Sequence, residues 1–147
     1  MKLKCIRPNA VAMIRGSENH PDLRGQVRFY QRGYCVLVKA TVQRLPKTQT
    51  GFFGFHIHAG NNCAGDGFTN TEGHYNPKME SHPSHAGDLP PLFYCHGNGY
   101  LSVLTERFRV EDILGRTVVI HDNVDDFTTQ PAGNAGEKIA CGVIRRV

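Results

Sequence analysis

Short runs of alternating apolar and polar residues, each followed by turn-forming residues, dominate this chain of 147 residues. In Tyr34–Val42, for example, the apolar Val36, Val38 and Ala40 share one face of an extended strand. Such alternation, with turn signals at intervals of about 8–12 residues, predicts an antiparallel sandwich or barrel. The predicted strands are Ala10–Ile14, Gln26–Gln31, Tyr34–Val42, Phe52–His58, Gly99–Thr105, Thr117–His121 and Lys138–Ile144. Helix is predicted only as a single turn at Val110–Leu114.

Two long stretches, residues 59–98 and 122–137, interrupt the alternation and are rich in turn-forming residues. Loops beyond about 12–15 residues are usually functional or disordered. These two stretches contain or flank nearly all of the 8 histidines, which favours function. We therefore expect one all-β domain over residues 1–147 with two long functional loops.

Several classes of partner and compartment are disfavoured by the composition. The net charge is +4, but the basic residues are scattered and form no stripe typical of nucleic-acid binding. No apolar run approaches the roughly 20 residues that cross a bilayer, so neither nucleic acid nor membrane is expected as a partner. The N-terminal sequence MKLKCIRPNA lacks the apolar segment of a signal peptide. This predicts a cytoplasmic protein, or an exported or periplasmic one if a leader has been removed.

A histidine pair on one strand gives the first indication of a metal site. His56 and His58 are two residues apart in GFHIHAG, so their imidazoles point to the same face of the strand. His74 follows in the loop sequence EGHYNP. An isolated pair of this kind is weak evidence, and the third histidine strengthens it.

Four further donors point to a second metal. His82, His85 and Asp88 lie within seven residues in HPSHAGD, and zinc accepts such ligands in a four-coordinate site. His121 ends an apolar strand, GRTVVIH, and begins the second long loop. The seven donors exceed one tetrahedral site and are one fewer than two sites need. An imidazolate that binds two metals through its two nitrogens would supply the eighth position, which predicts a bridged two-metal centre.

The motifs GFHIHAG, GHYNP, HAGDLPPL, GRTVVIHDNVDD and GNAGEKIACGV occur in this order, and with them the chain resembles the copper/zinc superoxide dismutase family. The resemblance covers roughly Ala10 to Ile144. The spacing around Cys63 and the GDLPPL run resemble the bacterial branch of the family more than its animal branch. It implies an all-β, eight-stranded antiparallel Greek-key sandwich or barrel. It also implies an enzyme that converts superoxide anion to dioxygen and hydrogen peroxide with copper and zinc as cofactors.

The resemblance also implies roles for individual residues. His74 is expected to be the imidazolate bridge and to donate a proton to the departing peroxide. Asp125 matches a carboxylate that links a copper histidine to a zinc histidine, and Cys63 and Cys141 match the family's disulfide. Cys5, Cys35 and Cys95 are then expected to be free thiols. The implied copper ligands are His56, His58, His74 and His121. The implied zinc ligands are His74, His82, His85 and Asp88.

Two departures from the family pattern affect the expected site. Lys138 stands where the family has an arginine that guides and holds superoxide. Lysine keeps the positive charge but lacks the planar fork of arginine, so we expect activity with weaker orientation of the anion. Only two residues separate His82 from His85, so the zinc loop is shorter than usual for the family.

Other functions and partners stay open at this point. The main alternative is a non-catalytic copper- or zinc-binding domain for metal buffering or delivery. A cupin-type metalloenzyme is disfavoured, because cupins have a glutamate a few residues after the histidine pair and the next one here is Glu72. A homodimer and a copper chaperone are open as partners. His20 and His96 are expected to be surface residues outside the site.

Overall fold

A computed structural model describes residues 6–147. The fold is almost entirely β-structure, and only one short α-helix and one 3-10 segment interrupt it. The single helical turn predicted at Val110–Leu114 is present as helix α1, Val110–Ile113. The 3-10 segment is Asp66–Thr71. The strands are β1 Ala10–Gly16, β2 Arg24–Arg32, β3 Cys35–Gln43, β4 Phe52–Phe53, β5 Phe55–His58, β6 Leu92–Cys95, β7 Asn98–Thr105, β8 Thr117–His121 and β9 Lys138–Arg146.

All of these strands join one antiparallel sheet in the order β4-β6-β7-β3-β2-β1-β9-β8-β5. Strand β2 forms hairpins with β1 and with β3. The connections from β3 to β4 and from β7 to β8, by contrast, join strands that are not adjacent in the sheet. Connections of this kind are the mark of a Greek-key arrangement. The expected all-β, antiparallel barrel is therefore confirmed.

The barrel is closed by one short segment of chain around Gly54. β4 and β5 lie at the two ends of the sheet order, yet only Gly54 separates them along the sequence. A Cβ atom on Gly54 would lie 2.8 Å from the Cβ atom of Ala135 and 3.2 Å from that of His121, so no side chain fits there. The predicted strand Phe52–His58 is thus two strands, which pair with β6 and β8 respectively.

The barrel has nine strands, whereas the resemblance implies eight and the alternation in the sequence predicts seven. The break at Gly54 accounts for one additional strand, and β6 lies inside the stretch predicted as a loop from 59 to 98. His96 and Gly97 have φ angles of 46° and 82° and connect β6 directly to β7. This two-residue turn has positive φ at both positions, but its sequence is not one of the usual Asn-Gly or Asp-Gly signals. The first long loop therefore ends at residue 91, and the second covers 122–137 as predicted.

The alternating residues fill the barrel as the sequence predicts. Val27 and Phe29 on β2 pair with Ala40 and Val38 on β3, and all four side chains are fully buried. Each large apolar side chain buried in this way contributes roughly 1.5–3 kcal/mol. The strand β5 is buried on both faces, because its apolar side chains point into the barrel and its histidines lie under the loops. No helix in the described part of the chain is long and apolar enough to cross a membrane.

Candidate metal centre

The donors predicted from the sequence come together beside β5. Within residues 6–147 they form two groups, and in each group one donor atom per residue lies within 4.8 Å of the others. The first group is His56, His58, His74 and His121, and the second is His74, His82, His85 and Asp88. His74 belongs to both groups, as the count of donors predicts for a bridging ligand.

Backbone carbonyls orient two rings of the first group. The Nδ1 atom of His58 lies 2.8 Å from the Glu72 carbonyl oxygen, and Nδ1 of His121 lies 3.3 Å from that of Gly136. Because a carbonyl only accepts, each Nδ1 carries the proton and each Nε2 keeps a free lone pair. These two Nε2 atoms are 3.2 Å apart. Two unprotonated nitrogens thus face one position.

Two more nitrogens of the first group are buried without any hydrogen-bond partner, namely Nδ1 of His56 and Nε2 of His74. An unpaired buried polar atom costs about 1–3 kcal/mol, so such atoms need an explanation such as a bound ion. With the Nε2 atoms of His58 and His121 they make a set of four imidazole nitrogens, which suits copper. The residues present therefore fit the expected copper ion.

The second group surrounds the carboxylate of Asp88. Its Oδ1 atom lies 2.7 Å from Nδ1 of His74, and its Oδ2 atom lies 3.0 Å from Nδ1 of His82 and 3.2 Å from Nδ1 of His85. Three Nδ1 atoms and one carboxylate form a donor set that zinc binds as a tetrahedron. The short spacing between His82 and His85 still brings both rings to the group. The two nitrogens of His74 therefore belong to different groups.

Asp125 links the two groups, as the resemblance implies. Its carboxylate accepts hydrogen bonds from Nε2 of His56 at 2.7 Å and from Nε2 of His82 at 2.8 Å. Burial alone would raise the pKa of Asp125, but these bonds and one from the Phe127 amide hold it well below its usual range. With Nε2 donating, the opposite Nδ1 of each ring is the free donor atom. Gly133 has a φ of 71° here, and a Cβ atom on it would overlap the Asp125–His82 contact.

The surroundings of His58 and His121 in the first group favour their neutral forms. Burial and, to a smaller extent, the neighbouring His56 lower the pKa of His121 to about 3. Burial and the neighbouring His121 lower the pKa of His58 well below its usual value. A neutral imidazole is the form that binds a metal. The apolar surroundings therefore prepare these rings for an ion at neutral pH.

Lys138 lies next to the first group. Its Nζ atom donates to the hydroxyl of Thr71 at 2.8 Å and to the Glu72 carbonyl oxygen at 3.0 Å. That carbonyl also accepts the bond from His58, so the lysine and the ring share one acceptor. An ammonium group has three N–H donors, and one of them is left for an anion. Burial lowers the pKa of Lys138.

The expected disulfide is present between Cys63 and Cys141. It ties the first long loop to β9, the strand that begins with Lys138. Cys35 and Cys95 are free, as expected, whereas Cys5 lies outside the described residues.

Comparison with known proteins shows which family this chain belongs to. Residues 23–144 match the family described as copper/zinc superoxide dismutase (SODC). The chain belongs to the copper/zinc superoxide dismutase family. This membership confirms the expected enzyme class and the expected cofactors, copper and zinc.

Bacterial members of the superoxide dismutase family are among its relatives. A superoxide dismutase (Cu-Zn) of Legionella pneumophila is 36% identical over 148 residues, covering 95% of this chain and 89% of the relative. Superoxide dismutase (Cu-Zn) 2 of Aquifex aeolicus is 34% identical over 139 residues, covering 84% of this chain and 80% of the relative. These matches confirm the resemblance to the bacterial branch.

Some residues that support the site were not predicted from the sequence. The side chain of Gln130 accepts from the His82 amide at 2.9 Å and donates to the His82 carbonyl at 2.7 Å. Arg107 contacts the backbone of the same loop. Neither residue lies in a ligand motif, and each acts through backbone atoms, so no sequence signal marks it.

His96 is exposed and His20 is half-buried, and both lie outside the two donor groups.

Proposed function

We propose that this superoxide dismutase, with residues 1–147 as one domain, holds its two metals in the two donor groups that share His74. Superoxide anion is its substrate. Copper would be bound by Nδ1 of His56 and by the Nε2 atoms of His58, His74 and His121. Zinc would be bound by the Nδ1 atoms of His74, His82 and His85 and by the carboxylate of Asp88.

The observation that carries this proposal is the position of the His74 ring. Its Nδ1 atom lies 2.7 Å from Asp88 in one group, while its Nε2 atom is buried without a partner in the other. A buried ring that used only one nitrogen would leave the other unsatisfied at a free-energy cost. A bridging role satisfies both.

Copper, when bound, would supply the one-electron redox chemistry of superoxide dismutation, and zinc would supply a fixed positive charge without redox chemistry. The protein's part is to deliver protons and to hold the anion. His74 is suited to carry a proton on Nε2 whenever that atom is not bound to copper, because Asp88 holds the ring in place from the Nδ1 side. Asp125 keeps His56 and His82 in their orientations during turnover. Peroxide then leaves after it has received its protons.

Lys138 attracts and holds the superoxide anion in this proposal. Two of its donors are fixed by Thr71 and by the Glu72 carbonyl, so the third has a defined direction. A single directed N–H replaces the two parallel bonds that an arginine would offer. Because the lysine shares its acceptor with His58, it holds the anion beside the copper group.

Replacement of Lys138 by Met is expected to lower kcat/KM roughly tenfold, because the steering charge and the directed donor are both lost. Lys138→Arg keeps the charge and adds the planar fork, so we expect activity equal to or above that of the unmodified protein. The measurement is superoxide consumption at low and high ionic strength. Added salt should slow the unmodified enzyme and leave the Met variant almost unaffected, since screening acts on the steering charge. Equal salt dependence in both proteins would contradict this role.

The alternative function is a domain that only stores or delivers copper or zinc. All four copper donors are present and oriented, which favours the enzyme. We expect purified protein to contain about one copper and one zinc per chain and to consume superoxide in proportion to its copper content. Elemental analysis paired with the activity assay measures both. Zinc without copper and without activity would instead support the binding domain.

The compartment and the partners are proposed separately. The cytoplasm is proposed as the compartment, with an exported or periplasmic location as the alternative. The Cys63–Cys141 disulfide supports the exported alternative, because the cytosol keeps thiols reduced. A homodimer is proposed as the assembly, and its test is the oligomeric state in solution. The burial of the copper donors supports delivery of copper by a chaperone.

A further inference from the structure

Arg107 lies on the surface between β7 and α1, outside both donor groups, and its guanidinium reaches the loop that carries three of the zinc donors. The Nη1 atom of Arg107 is 2.7 Å from the carbonyl oxygen of Pro83, 3.1 Å from that of His85 and 3.3 Å from that of Asp88. No carboxylate within residues 6–147 forms an ion pair with this arginine. Its contacts are therefore with the loop backbone.

The three carbonyls belong to, or directly follow, the donors of the second group. His85 and Asp88 are themselves donors, and Pro83 follows the donor His82. One nitrogen that contacts all three fixes the spacing between the start and the end of the segment 83–88. That spacing decides whether the Nδ1 atoms of His82 and His85 meet at the Asp88 carboxylate.

The loop needs such support because only its end pairs with a strand. The Ile57 amide donates to the Gly87 carbonyl at 2.9 Å and Asp88 forms an isolated bridge with His56, whereas residues 82–86 pair with no strand. At its beginning, Gln130 bonds both the amide and the carbonyl of His82. Toward its end, Arg107 supplies the corresponding contacts. A segment that is held at both ends loses less conformational freedom when it binds an ion, and such preorganisation raises affinity.

We propose that Arg107 is a positioning residue for the zinc site. Its contacts hold His82, His85 and Asp88 in their ligand arrangement before the metal arrives. It thereby strengthens zinc binding and slows zinc release. This inference rests on the zinc ligands proposed above. It also explains how a loop with only two residues between His82 and His85 keeps a complete donor set.

The test compares R107A and R107K with the unmodified enzyme, each as the copper- and zinc-loaded protein. Zinc release to a chromophoric chelator gives the rate, and cobalt(II) in place of zinc reports tetrahedral geometry by its visible absorption. R107A should release zinc about tenfold faster, in line with the loss typical of residues that orient ligands. R107K should fall between R107A and the unmodified enzyme, because lysine keeps the positive charge and its N–H donors but lacks the fixed planar geometry of the guanidinium.

The matched control is R28A, which removes another exposed arginine, on β2, away from the loop. It should release zinc at the unmodified rate.

Unchanged zinc release and an unchanged cobalt spectrum in R107A would overturn the inference. The inference would also be overturned if R107A lost the same thermal stability in its metal-free and zinc-loaded forms and released zinc at the unmodified rate, because that result indicates a purely structural role. If the unmodified protein takes up no zinc or cobalt, the ligand assignment itself fails, and this result is distinct from a failure of Arg107.

Discussion

His121→Ala is expected to abolish superoxide dismutation and to leave the zinc site occupied. His121 contributes to the copper group only, so its loss removes one of four copper donors and none of the zinc donors. Residues that merely orient ligands cost about 10–100-fold in metal affinity or activity, and a ligand should cost more. We therefore expect below about 1% of the unmodified activity. Elemental analysis and superoxide consumption on the same sample measure both consequences.

The control for this variant is His96→Ala. His96 is exposed in the turn between β6 and β7, so its replacement removes a histidine without touching the site. It should retain full activity and both metals. Near-normal activity in the His121→Ala protein would refute the copper assignment. Loss of zinc together with copper would show that the two groups are not separable as proposed.

Loss of the Cys63–Cys141 disulfide is expected to cause the largest change in stability. The bond closes a loop with a sequence separation of 78 residues. Chain-entropy arguments give about 4 kcal/mol for a loop of this length. Replacement of both cysteines by serine should therefore lower the free energy of unfolding by about that amount, as measured by denaturant titration of the metal-loaded protein. The disulfide also ties the loop carrying Glu72 to β9, so we expect the anion site at Lys138 to loosen and activity to fall.

Cys95→Ser is the matched control, because Cys95 is free and exposed. It should unfold at the same denaturant concentration as the unmodified protein. A double serine variant of unchanged stability would mean that the disulfide contributes nothing beyond the barrel. A variant of lower stability but full activity would separate the disulfide from the geometry around Lys138.

Much of the fold follows from local pattern in the sequence. Alternation places Val27 and Phe29 opposite Val38 and Ala40 in the core, and these residues are paired and buried as predicted. The same period of two puts His56 and His58 on one face. Predicting that His74, the zinc loop and His121 meet at one point required the order of the motifs along the chain in addition to their local pattern.

Other features depend on packing that no local pattern encodes. The division of Phe52–His58 at Gly54 arises because the two halves meet different neighbouring strands at opposite ends of the sheet. The free nitrogen of each imidazole is decided by distant acceptors such as Asp125 and the Glu72 carbonyl. Arg107 contacts carbonyl oxygens, which every residue has. Each of these features is fixed by three-dimensional proximity and leaves no mark on residue spacing.

The single residue that joins β4 to β5 sets how this chain tolerates insertions. One residue added beside Gly54 would either open the barrel or shift β5 by one position against β8. Such a shift moves every side chain to the opposite face, so Phe55 and Ile57 would turn toward the metals and His56 and His58 toward the core. The long loops at 59–91 and 122–137 are free of this constraint. Differences in length between related barrels should therefore accumulate in those loops and be absent at Gly54.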